Sequence, residues 1–395
     1  MNKEILEYAQ KLIKKKEKDI DLRDPMMIVY KVTDRCNLKC KYCYQGQAHS
    51  ENSISVDKVL EFIDFIATQK RGYIYIAFHG GEPMLEETKI ACLVESLLKR
   101  KYAKRIRFSL QTNGTVFSSK IFDLCKEKHI TIGLSIDGFD EYTNLCRLED
   151  TNINEYFKRV HKTIKYLNDN EIDFSVISVL SRFNHMHIER IIDFLIQHKV
   201  RTWSCNDLVY NDNINDSSIL LTAEEKLDAY KRIIDCILDH NKKVNPYNRF
   251  YETNIRQWLS SISGNNSFIY DICGSNPCGL FTHTISLESD GTVFPCDMVT
   301  SKEYKVLNIH SFSEEEYYEF VPKKEKMDIE CVQKCSEQCE SRVICKMNCK
   351  AIGMSGVTKS EFCKFYKPLY DYLLLISNVK NNLELLNPTI NKRNL

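Results

Sequence analysis

The stretch TDRCNLKCKYCYQ at residues 33–45 sets Cys36, Cys40 and Cys43 in one short loop. Three thiolates this near to one another can close on one metal centre, and their number matters. A structural zinc site wants four ligands in a tetrahedron, whereas a four-iron cluster held by three cysteines leaves one iron open to a further ligand. A second group lies far downstream, where Cys278, Gly291 and Cys296 are followed by Cys335, Cys339, Cys345 and Cys349 and then by Cys363, with Cys273 and Cys331 close by. On spacing alone these later thiols suit iron-sulfur clusters or zinc.

The chain has 17 cysteines in 395 residues, and its first residues, MNKEILEYAQKLIKKKEKD, are charged and helical in pattern, without the apolar segment of a signal peptide. A disulfide framework is therefore not expected. The reading is a reducing compartment, the cytoplasm, where clustered thiols bind metal or do redox chemistry. Five scattered cysteines, Cys92, Cys125, Cys146, Cys205 and Cys236, read as small buried hydrophobes. Lys+Arg of 55 against Asp+Glu of 54 gives no global basic field, so nucleic acid is not an expected partner. No apolar run approaches the roughly 18 residues of a membrane span, so no membrane partner is expected. His185 and His187 lack a matching carboxylate or cysteine, and Asn184 before them reads as a helix cap. The lysine run KLIKKKEKD reads as a solvated helix face.

From residue 27 to about 210, short apolar runs alternate with helical periodicity. Strands are predicted at 27–33, 73–79, 105–112, 131–137, 173–180 and 200–209. Between the first two, a helix over 56–69 sets Val59, Phe62, Ile63 and Ile66 on one face. Such alternation implies a parallel sheet, with functional groups gathered at the carboxyl ends of its strands. The cysteine triad follows the first strand, HGGEP the second, TNG the third and DG the fourth, so all four are expected at one rim. The polar segment 211–218 reads as a linker, followed by helices at about 222–242 and 249–262. In HTISLESDGTVFPCDM, Asp290-Gly291 between two alternating runs predicts a hairpin.

The spacing Cys36-x3-Cys40-x2-Cys43, with Tyr42 before the last cysteine, resembles the cluster loop of the radical S-adenosylmethionine (SAM) superfamily. That resemblance implies a [4Fe-4S] cluster on the three cysteines, with SAM on the open iron. It further implies SAM contacts from Tyr42, from the HGGEP motif (His79, Gly80, Gly81 and Glu82), and from Ser135 and Arg147, with Leu208 beside the adenine. Gly80 and Gly81 would let backbone approach a ligand, and a guanidinium suits a carboxylate. Sulfatase-maturing relatives tend to carry glutamine at the place of His79.

The downstream group resembles the SPASM extension of that superfamily. By that likeness Cys273, Cys278, Cys296 and Cys349 would hold one auxiliary [4Fe-4S] cluster, and Cys335, Cys339, Cys345 and Cys363 another. Fully ligated clusters serve electron transfer. One departure, three residues between Cys335 and Cys339 where two are usual, leaves that corner open, and Cys331 is near enough to compete. Asp297, directly after Cys296, stands where the sulfatase-maturing branch has its general base; a turn or cap acceptor is the plainer reading.

The expected fold is α/β: an N-terminal helical segment (1–26), a partial (β/α)6 TIM-like radical SAM barrel (27–215), a helical linker (216–270), an iron-sulfur SPASM domain (271–370) and a tail (371–395). The expected function, implied by the resemblance, is a maturase that takes hydrogen from a side chain of a ribosomally made peptide with a 5′-deoxyadenosyl radical and forms a thioether or carbon-carbon cross-link. The alternative is an anaerobic sulfatase-maturating enzyme making formylglycine from cysteine or serine. From a different class, an iron-sulfur electron carrier or zinc-binding interaction protein would cleave no SAM. Expected partners are a peptide or protein substrate and an external electron donor such as flavodoxin or ferredoxin. With only about 25 residues before the barrel, leader recognition would fall to the barrel, the SPASM domain or a separate protein.

Overall fold

A computed structural model of the protein describes residues 26–45, 53–148, 153–208, 216–263, 279–299, 301–319, 339–345, 359–378 and 381–388. The N-terminal segment expected to be helical, its lysine run, and Cys273, Cys278, Cys331, Cys335 and Cys349 lie outside these residues.

Alternating apolar residues build the sheet. Strands β1 (Met26–Thr33), β2 (Ile74–Gly80), β3 (Ile106–Thr112), β4 (Thr131–Ser135), β5 (Phe174–Leu180) and β6 (Thr202–Asp207) pair in parallel and in chain order, each within two residues of its predicted ends. Helices α1 (Val56–Gln69), α2 (Glu87–Leu98), α3 (Ser119–Glu127), α4 (Ile153–Asp169) and α5 (Ile188–Gln197) return the chain between them. The first begins where the Ser55 side chain accepts a hydrogen bond from the Lys58 amide, with Asp57 in the first turn. It buries Val59, Phe62, Ile63 and Ile66, the face read from the sequence.

The two faces of the sheet differ. Ile28, Tyr30, Val32, Ile76, Phe78, Phe108, Leu110 and Leu134 are buried in the apolar core shared with the helices. On the other face the register aligns Lys31 with His79, Ala77 with Ser109, Gln111 with Gly133 and Ile177 with Ser204. Except for Ile177 these side chains are small or polar, and most are half-buried, so the concave side is a cleft and not a packed barrel interior.

Beyond the sixth strand, α6 (Ala223–Lys243) starts from a capping box of Thr222 and Glu225. The helix predicted from residue 249 is preceded by a short strand, β7 (Tyr251–Glu252), which extends the sheet beside β6 before α7 (Thr253–Ile262) begins. Glu252 explains the late start. Its buried carboxylate caps α7 at the Ile255 amide (2.7 Å) and also accepts from the Cys205 amide (2.9 Å) on β6.

The predicted hairpin forms as β8 (Thr284–Leu287) and β9 (Thr292–Phe294), with Gly291 at φ +83° in its turn. Strand β8 pairs in parallel with β1, and β10 (Leu307–Asn308) follows β9. Among the described residues the result is one ten-stranded sheet in the order β10-β9-β8-β1-β2-β3-β4-β5-β6-β7. Helices α8 (Lys359–Ser377) and α9 (Asn382–Leu386) pack on α6, where Tyr372 Oη donates to Asp235 (2.6 Å) and Asn241 Nδ2 donates to the Leu385 carbonyl (2.7 Å). Among the described residues no helix is long and apolar enough to cross a membrane.

Candidate active site

The cysteine loop leaves β1 and is stitched to the ends of β2, β3, β4 and β5. The Gly81 amide donates to the Thr33 carbonyl and the Glu82 amide to the Arg35 carbonyl, each at 2.8 Å. A Cβ on Gly80, whose φ is +126°, would overlap the Thr33 carbonyl oxygen, and one on Gly81 would overlap that of Arg35. The close approach these glycines permit is thus to the backbone of the cysteine loop. Glu82 is wholly buried, with its carboxylate accepting from the Met84 amide (3.0 Å), Thr112 Oγ1 (2.6 Å) and the Asn113 amide (2.7 Å). Burial pushes this carboxyl up to about 7 against the pull of those donors. It ties the turn after β2 to the end of β3.

From β3, Asn113 Nδ2 donates to Asn37 Oδ1 (3.0 Å) and lies 3.9 Å from Cys36 Sγ, while Asn37 Nδ2 donates to Thr115 Oγ1 (2.7 Å). From β4, Asp137 accepts from Tyr42 Oη, from Arg147 (2.9 Å) and, across to β5, from the Val179 amide (3.0 Å). The Arg147–Asp137 pair is buried, and the guanidinium lies 5.4 Å from the Tyr42 ring centroid. Leu208 is buried with Cys146 and Ile219 against Tyr42. Ser135 Oγ accepts from Gln111 Nε2 (2.7 Å), in the space that the missing Cβ of Gly133 leaves for the glutamine.

Cys36, Cys40 and Cys43 are all half-buried and none is in a disulfide. Burial pushes the Cys40 thiol up to about 12, with Arg147 pulling it down and Asp137, Cys43 and Cys36 adding to the rise. Burial likewise pushes the Cys36 thiol up, so these two thiols need added positive charge to become thiolates, which iron supplies. Among the described residues no three His, Cys, Asp or Glu side chains converge as the ligands of a single metal ion do; a cluster spreads its thiolates over separate irons. Two orphaned polar atoms lie at the same rim. Arg147 Nε and His79 Nδ1 are enclosed and have no hydrogen-bond partner, which fits a polar ligand at this rim.

The hairpin brings Cys296 and Asp297 to this rim. Cys296 Sγ lies 3.2 Å from Asp297 Oδ1, and Tyr44 Oη, next to Cys43, reaches to 3.5 Å from Asp297 Oδ2. The Tyr44 ring sits 6.4 Å from that of His79 and 5.6 Å from Lys31 Nζ. Burial lowers the imidazole pKa of His79, with Asp297 raising it and Lys31 lowering it further. Lys31 is itself buried and pairs with Glu288 at 2.9 Å. Of the other downstream cysteines, Cys339 and Cys345 flank a turn, Glu340–Val343, that packs beside α8, the helix carrying Cys363.

Asn113 and Asp137 lie in the TNG and DG motifs expected at this rim, whereas Lys31, Tyr44 and Glu288 are not singled out by the sequence. A signal existed for two of them, since Lys31 and Glu288 each break an otherwise apolar run.

A parallel partial barrel with a three-cysteine loop at the carboxyl rim defines a class, and residues 30–195 match the family model of the Radical SAM superfamily. Residues 30–195 are thus a radical SAM domain, and this match supports SAM and a [4Fe-4S] cluster as its cofactors. Its similarity extends to the cysteine-type anaerobic sulfatase-maturating enzyme of Clostridium perfringens (strain 13 / Type A), 24% identical over 380 residues that cover 91% of this chain and 99% of that protein. The solved structure of native anSMEcpe with bound AdoMet and Cp18Cys peptide shares the fold with a TM-score of 0.73 at 22% identity, covering 90% of this chain and 99% of the other. Streptococcus suis SuiB bound to S-adenosylmethionine shares it at 0.60 and 17% identity, covering 86% and 76%.

Proposed function

We propose that this chain oxidises a side chain within a peptide or protein substrate, and that it does so as a sulfatase-maturating type of enzyme, converting cysteine or serine to formylglycine. The observation that carries this reading is the placement of Asp297, more than 250 residues from the triad in sequence, beside Tyr44 at the triad's edge. Full-length similarity to a sulfatase-maturating enzyme supports it. Cross-link formation, ranked first on sequence grounds, becomes the second reading; the feature in its favour is His79, where glutamine is usual among sulfatase-maturing relatives.

Cys36, Cys40 and Cys43 would hold a [4Fe-4S] cluster with SAM, which when bound would supply a 5′-deoxyadenosyl radical for hydrogen abstraction, and the two downstream cysteine sets would hold auxiliary clusters that would supply an acceptor for the electron released. The protein's own groups do the rest. Tyr42, Arg147 and Asp137 brace one flank of the cysteine loop, while the Gly80–Gly81–Glu82 turn braces the other. Ser135, Leu208 and the unbonded atoms of Arg147 and His79 line the place for SAM. Asp297 accepts the proton that the substrate thiol or hydroxyl gives up as its carbon is oxidised, and Tyr44 steadies that carboxylate. The balance is one hydrogen atom to the nucleoside, one proton to Asp297 and one electron to the acceptor; serine thereby gives the aldehyde directly, whereas cysteine gives a thioaldehyde that water converts to formylglycine with release of hydrogen sulfide.

Asp297→Asn tests this directly, with anaerobically reconstituted protein, SAM, reductant and the Cp18Cys peptide. The expected outcome is continued 5′-deoxyadenosine formation with aldehyde product reduced on the order of a hundredfold or more. A hydrazide-trappable aldehyde supports formylglycine; loss of two hydrogens without a trappable aldehyde supports cross-linking. Full product from the variant removes Asp297 from the chemistry.

A further inference from the structure

The concave face of the sheet carries one buried lysine, and its partner is informative. Lys31 lies two residues before the end of β1, the strand that runs into the cysteine loop. Its ammonium meets Glu288 Oε2 at 2.9 Å, and Glu288 stands at the tip of the β8–β9 hairpin. There the Glu288 amide donates to the Thr292 carbonyl (2.8 Å), the Gly291 amide donates to the Glu288 carbonyl (3.0 Å), and Ser286 Oγ donates to Glu288 Oε1 (2.6 Å). The strand that leaves this turn leads to Cys296 and Asp297. Lys31 also lies under Tyr44, whose hydroxyl reaches Asp297. Two routes therefore connect one ammonium to the carboxylate of Asp297, through the hairpin and through the tyrosine.

A buried ion pair contributes little net stability compared with apolar residues of similar volume, and its best-attested use is to set register. Here it spans the junction between β1 and β8, where the strand feeding the cysteines meets the hairpin feeding the carboxylate. We propose that Lys31 and Glu288 are positioning residues that hold Asp297 at a set distance from the cysteine loop, so that the thiol or hydroxyl of the substrate loses its proton once hydrogen has been abstracted from the carbon that bears it. This rests on the reading of Asp297 as the base.

The test uses full-length reconstituted protein in four forms: Lys31→Met, Glu288→Gln, the swapped pair Lys31→Glu/Glu288→Lys, and Asp297→Asn as reference. Two quantities are read, amide hydrogen exchange of residues 292–297 compared with β3 to β5, and 5′-deoxyadenosine formed per product with the Cp18Cys peptide. The single variants are expected to speed exchange in 292–297 on the order of tenfold with β3 to β5 unchanged. The nucleoside-to-product ratio should rise on the order of tenfold, toward that of Asp297→Asn, with the swapped pair recovering part of both. Unchanged exchange at 292–297, or exchange raised equally throughout the sheet, overturns the positioning role, as does an unchanged ratio beside an uncoupled Asp297→Asn. Should Asp297→Asn itself remain coupled, the general-base reading fails, and the exchange measurement alone decides whether the pair fixes the hairpin. If Lys31→Met does not fold, Glu288→Gln and the swapped pair decide by the same readings.

Discussion

Glu82 shows how one side chain can serve both the fold and the site. Its carboxylate is enclosed, yet three donors point at it. The net effect of burial is a carboxyl raised from 4.5 to about 7, so the neutral acid is favoured by the fold. That contribution is complete below the unfolded value and is lost as pH rises through about 7. The metal-free protein is thus expected to lose up to about 3 kcal/mol between pH 4.5 and 8 from this group, read as a falling melting temperature. Glu252, raised to about 6 by burial, acts in the same direction and continues to act in any Glu82 variant. Glu82→Gln should flatten the slope but lower stability by about 1–3 kcal/mol, because an amide nitrogen would then face the Asn113 amide. At this scale the sequence was informative about residues whose neighbours are local. The three cysteines declare themselves by spacing, while Lys31 and Glu288 find each other only through the pairing of β1 with β8, which no local pattern encodes.

The turn between β2 and α2 is the element on which the cysteine loop rests. Its glycines were read as making room for a ligand; they make room for the loop's own carbonyls. Gly81→Ala should therefore displace the loop while leaving the apolar face of the sheet intact. Far-UV circular dichroism is expected to remain near wild type, with iron and SAM binding at the triad lost; retained iron at the triad would show that the contact with Arg35 is dispensable. The six barrel strands were legible because each is a short apolar run bounded by polar turns, and the hairpin because Asp290-Gly291 marks it. Strand β7 was not, since two residues carry no periodicity and Glu252 reads equally well as helix.

At the scale of the whole molecule, the barrel and the hairpin of the cysteine-rich half share one sheet. Within 216–270, expected to be a helical linker, residues 216–262 supply α6, β7 and α7, which lie against the barrel's own elements. A chain ended after residue 263 would leave the β1 edge unpaired, with the Lys31 ammonium deprived of Glu288. Such a truncation is expected to aggregate on expression, checked by size exclusion; a monodisperse product would show that β8 is not needed to close the edge. Met27 and Thr284 are paired neighbours although some 250 residues separate them. During synthesis at about 5–20 residues per second, the first strand waits more than ten seconds for that partner to leave the ribosome. Through that interval the nascent cleft stands open on the side where the cysteines lie, so delivery of iron and sulfide can precede closure of the edge.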